Sequence, residues 1–105
     1  MEKRSAHYSL DAIKKQMSEG GLSITRTATK TARDLGYYEA EILTLIETIK
    51  PRHCYKSMTV HGDHRKWQDV YHVPCIRVEG RMLYVKFGED QIIEFSYRLI
   101  SFKEK

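Results

Sequence analysis

The sequence predicts an α+β domain in which N-terminal helices pack on a twisted antiparallel sheet. Three observations predict it. Up to Lys50 the apolar residues recur at helical spacing. After Pro51 they recur at every second residue. The later segments are joined by short turns, a connection that only antiparallel neighbours can use. The 105 residues suit a single domain spanning 1–105, large enough to bury a core without disulfides or a structural metal.

Each element has a local reason. Ser9 is placed to cap a helix carrying Leu10, Ile13 and Met17 on one face, closed by Gly20-Gly21. Leu22 to Thr25 reads as a short extended piece. Thr27 to Leu35 is a weaker second helix, with Ala28, Ala32 and Leu35 inside and Gly36 as its stop. Tyr38 to Ile49 is the third; Ile42, Leu45, Ile46 and Ile49 give it an apolar stripe, and Pro51 ends it. Strands follow at Cys54–Val60, Trp67–Val73, a short piece at Ile76–Val78, Met82–Phe87, and a long run from Gln91 to Phe102. The turns between them are His61-Gly62-Asp63, Glu79-Gly80 and Gly88-Glu89-Asp90.

Composition narrows the function. With 41% hydrophobic and 30% charged residues the chain is globular in balance. No apolar run approaches the ~20 residues of a membrane span. Met1–His7 is charged with no apolar stretch behind it, so no signal peptide is expected. Two cysteines outside any CxxC arrangement point to free thiols in a reducing, cytoplasmic setting. A transmembrane protein, a secreted disulfide scaffold, a repeat array and a multidomain enzyme are excluded. The net charge is +4 and uneven: residues 51–105 hold 10 basic and 7 acidic residues, four of the five histidines and eight of the eleven aromatics. Basic residues interleaved with Tyr, Trp and Phe suit a polyanion whose bases can stack.

Strand alternation sorts side chains by face. Lys56 shares parity with Cys54, Met58 and Val60, which places an ammonium among apolar neighbours. Tyr84 and Lys86 share one face; Leu83, Val85 and Phe87 share the other. Gln68 lies with Val70, while Asp69 lies with Trp67 and Tyr71. Lys103 directly follows Phe102 at the end of an apolar strand.

Three strings then carry a resemblance: Tyr55-Lys56-Ser57-Met58-Thr59, Asp63-His64, and Trp67-Gln68-Asp69-Val70-Tyr71. With the opening Met1-Glu2-Lys3-Arg4 and the closing Ser101-Phe102-Lys103-Glu104-Lys105, the chain resembles the motility quorum-sensing regulator toxins from end to end. The resemblance implies a RelE-like fold and the toxin of a bacterial type II toxin–antitoxin pair. It implies a ribosome-independent mRNA interferase that cuts at GC-containing sites such as GCU and needs no cofactor. Its partners would be mRNA and a zinc-binding, DNA-binding antitoxin. By local sequence it assigns Lys56, Gln68 and Lys103 to the catalytic set, with a later tyrosine matching Tyr84.

Metal-free RNA cleavage uses the substrate's own 2′-hydroxyl as nucleophile. The enzyme must remove that proton, stabilise a dianionic phosphorane and protonate the departing 5′-oxygen. Lysine and tyrosine titrate near ~10 unless perturbed, and burial or a neighbouring ammonium pushes a lysine down. Lys56, with Lys103 or Lys86 nearby, is expected to meet that condition as base or as electrostatic partner of the phosphate. Lys103 would stabilise the phosphorane, Tyr84 would donate to the leaving oxygen or stack on a base, and Gln68 would orient the phosphate or read a base edge. Arg65, Lys66, Arg77 and Arg81, on or beside turns, are placed to hold flanking phosphates, or are ordinary loop charges. Lys86 joins the RNA-binding set through its face. Trp67 and Tyr71 could stack on bases or pack in the core.

Other readings stay open. His61-x-x-His64 and His72-x-x-Cys75 have zinc-like spacing, although they flank a strand rather than forming two knuckles. His61 or His64 could serve as a general base. A non-catalytic RNA- or protein-binding module would use the same basic, aromatic sheet. A DNA-binding corepressor lacks a strongly basic recognition helix.

Overall fold

The structure, a computed structural model, describes residues 1–93 and 96–105. Among these, three helices precede most of a mixed, largely antiparallel sheet, the predicted α+β class. The helices are α1 (Leu10–Ser18), α2 (Arg26–Asp34) and α3 (Glu39–Thr48). The strands are β1 (Glu2–Lys3), β2 (Ser23–Ile24), β3 (Cys54–Val60), β4 (Asp63–Pro74), β5 (Met82–Glu89) and β6 (Tyr97–Glu104). They run in the order β1-β3-β4-β5-β6-β2, with only β2–β6 parallel.

The helix signals act as their chemistry requires. Ser9 Oγ accepts from Ala12 N at 3.1 Å, and Thr25 Oγ1 accepts from Ala28 N at 3.1 Å. Glu41 reaches back to accept from Tyr38 N at 2.8 Å. The left-handed backbone at Gly36 (φ 82°), where a Cβ would be strained, stops the chain after α2 and turns it into α3. Lys14 Nζ donates to the carbonyls of Glu47 and Ile49, satisfying the end of α3 from α1.

The helices cover one face only. Leu10, Ile13, Ala28, Ala32, Ile42, Leu45 and Ile46 meet Tyr71, Val73, Leu83, Val85, Phe87, Leu99 and Phe102 in a single core. Threonines lace α2 to the last strand: Thr25 Oγ1 donates to Ile100 O at 2.9 Å, and Thr31 Oγ1 donates to Phe102 O. Among the described residues Asp69 is the one charged residue of the buried set. Its carboxylate accepts from the backbone N–H groups of His7 and Tyr8 at 3.0 and 2.9 Å and from Ser57 Oγ at 2.6 Å, which fixes the approach to α1 across β3 and β4.

Several expectations are corrected. Ile76–Val78 is not a strand but part of the exposed connection after β4. Gly88 and Glu89 belong to β5 instead of a turn. The strand expected from Gln91 begins only at Tyr97, and residues 94 and 95 of that stretch lie outside the described residues. β1 was not anticipated: two residues carry no period, and only pairing with Ser57 and Met58 makes them a strand. Strict alternation also fails at three register shifts, one of them between Thr59 and Val60 at the end of β3; the other two bear on the site. A register shift between Cys54 and Lys56 puts Cys54 opposite Tyr71 and packs it against the core, away from Lys56. A second shift, between Lys86 and Phe87, inserts Ile100 as an extra residue in β6. Tyr71, expected to be available to RNA, is 1% exposed and packs edge to face on Phe87. It has no surface to offer a base, because its parity is that of the helix-covered face.

Candidate active face of the sheet

The sheet face opposite the helices gathers the chemistry. Pairing registers arrange it in three rows. In the first, Tyr84 stands opposite His72 on one side and Lys103 on the other. In the second, Val70 lies between Lys56 and Lys86, and Lys86 pairs with Ser101. In the third, Met58, Gln68, Gly88 and Arg98 are consecutive partners. Val70 belongs to this face yet is fully buried and stands apart from the helix-side core, so its neighbours' side chains close over it.

Aromatic contacts bind the first row together. Tyr55, the extra residue at the β3 shift, stacks on His72 at 4.3 Å between ring centroids. His72 and Tyr84 are tilted against each other at 6.1 Å. Lys103 Nζ lies 5.0 Å from the Tyr84 ring centre, and Lys56 Nζ 5.4 Å from that of Tyr55.

Electrostatics differentiate the lysines. Lys56 was expected to be the amine with a depressed pKa, and the direction is the reverse. Glu2, carried over the face by β1, accepts a hydrogen bond from Lys56 Nζ and holds its pKa above the ordinary lysine range. Lys86 meets the condition instead: burial first, and then the Lys103 ammonium, push its amine below that range. Burial pushes the Tyr84 phenol up, with the Lys56 charge opposing in part, so Tyr84 keeps its proton at neutral pH. Burial, helped by Lys105, lowers His72, leaving a neutral imidazole there. One patch thus holds a lysine biased toward its free base, two ammonium groups, a protonated phenol and a neutral imidazole.

The predicted residues therefore separate into groups. Lys56, Gln68, Tyr84, Lys86 and Lys103 share this face. Arg65 is exposed at the β3–β4 end, beside Asp63 at 3.4 Å. Lys66 lines a cleft at that same end. Arg81 is paired with Glu104 at 3.0 Å, and Arg77 lies over the Tyr37 ring. Trp67 is on the opposite face, stacked by His7 at 5.1 Å with Lys3 Nζ 4.4 Å from its ring centre. His61 and His64 sit at the β3–β4 turn, whereas His72 and Cys75 are at the other end of β4, so the four zinc-like positions do not converge. His72 and Tyr55 were missed as members of the site. The signal for His72 was present, since it continues the parity of Gln68 and Val70. Tyr55 depends on a bulge that alternation cannot show.

Releasing Lys56 from Glu2 tests this electrostatic picture. Glu2→Gln should tighten RNA binding about threefold, because the ammonium no longer shares itself with a carboxylate. Fluorescence anisotropy on a short RNA at two salt concentrations would measure it, and unchanged affinity would count against a phosphate over Lys56.

Comparisons with known proteins point the same way. The family described as "Motility quorum-sensing regulator, toxin of MqsA" matches residues 5–104. The chain is 34% identical over 105 residues to the mRNA interferase toxin MqsR of Escherichia coli (strain K12), spanning 100% of each.

Proposed function

This chain belongs to the motility quorum-sensing regulator toxin family and is an endoribonuclease, and on that premise we propose that its helix-free sheet face cleaves messenger RNA by attack of the substrate's own 2′-hydroxyl. The observation that carries the reading is the convergence of Lys56, Lys86, Lys103, Tyr84 and Gln68 at adjoining register positions. The scissile phosphate lies over the lysine row. Lys86 Nζ takes the 2′-hydroxyl proton. The 2′-oxygen then bonds to phosphorus, Lys56 and Lys103 balance the phosphorane's charge, and the bond to the 5′-oxygen breaks as Tyr84 supplies its proton. The products are a 2′,3′-cyclic phosphate and a 5′-hydroxyl. Gln68 orients the phosphate from the neighbouring row.

The family resemblance supports cut sites containing GC, such as GCU, without involvement of the ribosome. It also supports a cytoplasmic setting and neutralisation by a zinc-binding, DNA-binding antitoxin of the MqsA kind. A chain of net charge +4 favours an acidic face on that partner.

Incubating the purified protein with a long RNA in the presence of a chelator tests the chemistry. Discrete cuts with cyclic-phosphate ends are expected. Lys56→Ala and Lys103→Ala should each slow cleavage by about tenfold or more while the circular dichroism spectrum is unchanged. RNA bound but left intact would instead favour a non-catalytic binding module. Wild-type rates in a well-folded Lys56→Ala protein would remove Lys56 from the mechanism.

A further inference from the structure

Beside the third row, at the β3–β4 turn end of the sheet, lies a cleft of about 390 Å³, of whose lining the mechanism uses Gln68 alone. That volume falls within the ~300–1,000 Å³ of small-ligand sites. Ile100, Val60 and Trp67 are among its apolar lining, and Gln68, Arg98, Lys66 and Asp90 among its polar lining. Two features mark it as built for a ligand. The Arg98 Nε is buried and, among the described residues, has no hydrogen-bond partner, a costly state for a charged donor unless something else supplies the acceptor. Gly88 stands between Gln68 and Arg98 in register and puts no side chain between them. A Cβ there would stand 2.6 Å from Ile100 Cδ1, so glycine is what lets the Ile100 side chain lie over this strand unmoved.

Resting on the reading of the open face as the cleavage site, we infer that this cleft holds a nucleobase next to the scissile phosphate and that Arg98 reads it. A base suits the chemistry better than a second phosphate. Asp63, Glu89 and Asp90 share the walls with Lys66 and Arg98, so the cleft has no excess of positive charge for an anion. It offers donors and acceptors together with apolar side chains, which is what a base edge and a base face require. The spacing also fits. The third row lies one two-residue step, ~7 Å, from the lysine row, so a phosphate over Lys56 and Lys86 leaves the adjoining base within reach of Gln68 and Arg98. Asp90 is held ready on this rim: its carboxylate accepts from Ile92 N and Ile93 N at 2.8 and 3.1 Å.

Sequencing the cut ends of a randomised RNA library with wild type and Arg98→Met tests the inference. The variant should lose about tenfold or more of the base preference at a single position of the site, while cleavage of formerly disfavoured sequences stays within about threefold of wild type. Arg98→Lys, which keeps the charge but not Nε, should show the same loss and serves if the methionine variant fails to fold. A uniform fall at all sequences with the preference intact would assign Arg98 to a phosphate and overturn the proposal. So would an unchanged profile. A wild type that makes no cuts would sink the catalytic reading itself, a result separate from either.

Discussion

Lys86→Met should lower the rate of RNA cleavage by about a hundredfold or more, the loss expected when a general base is removed. Lys86 is driven toward its neutral form, by burial and by the charge of Lys103, whereas Glu2 holds Lys56 the other way. A base with a lowered pKa has a larger free-amine fraction at a given pH. The single-turnover rate should therefore rise with pH and level off once Lys86 has lost its proton, earlier than an ordinary lysine would allow. Lys103→Ala removes the like charge, so the rising limb should move to higher pH in addition to the loss of phosphorane stabilisation. Lys86→Arg is the sharper variant. It keeps the positive charge and the capacity to hold RNA but cannot give up its proton. RNA bound with near-normal affinity and left uncut is the expected result. A Lys86→Arg protein that cuts at the wild-type rate would transfer the base role to His72, the other neutral nitrogen of the patch.

Asp69→Ala should cost about 3 kcal/mol of stability, the largest effect expected of any single side chain outside the apolar core. The loss follows from what the carboxylate holds. Two backbone N–H groups and one hydroxyl point at it in a site without water access, and alanine leaves all three unpaired. Asp69→Asn retains one acceptor oxygen and should lose about half as much. Urea unfolding measures both, and amide exchange at His7 and Tyr8 should accelerate in the alanine variant before the rest of the chain is affected. A midpoint within error of wild type for Asp69→Ala would mean that the N-terminal segment is held by other contacts.

The fold was legible where the physics is local. Ser9, Gly20, Gly36 and Pro51 punctuate the helices, and the change of period after Pro51 announces the sheet. What escaped was decided by neighbours. Two residues at the N-terminus become a strand only because β3 offers an unpaired edge. Gly88 reads as a turn residue because its reason for being glycine, the side chain of Ile100, comes from a strand twelve residues on. The candidate site was legible in membership and not in roles. Parity brought Tyr84 and Lys86 together, and Gln68 with Val70. The sign of the Lys56 shift could not be read, since it depends on Glu2 arriving from the far end of the chain. Tyr71 was misassigned to RNA because alternation separates two faces without saying which of them the helices will cover.

The extra residue in β6 has a further meaning. Arg98 and Lys103 are separated by an odd number of positions, so in an unbroken ladder one of them would point under the sheet, and the half-step at Ile100 is what lets both look outward. The stretch between them is thus fixed in length as firmly as a gear is fixed in tooth count. Losing or gaining a single codon there would invert one end of the strand relative to the other, parting the reader of the base from the charge that meets the phosphate.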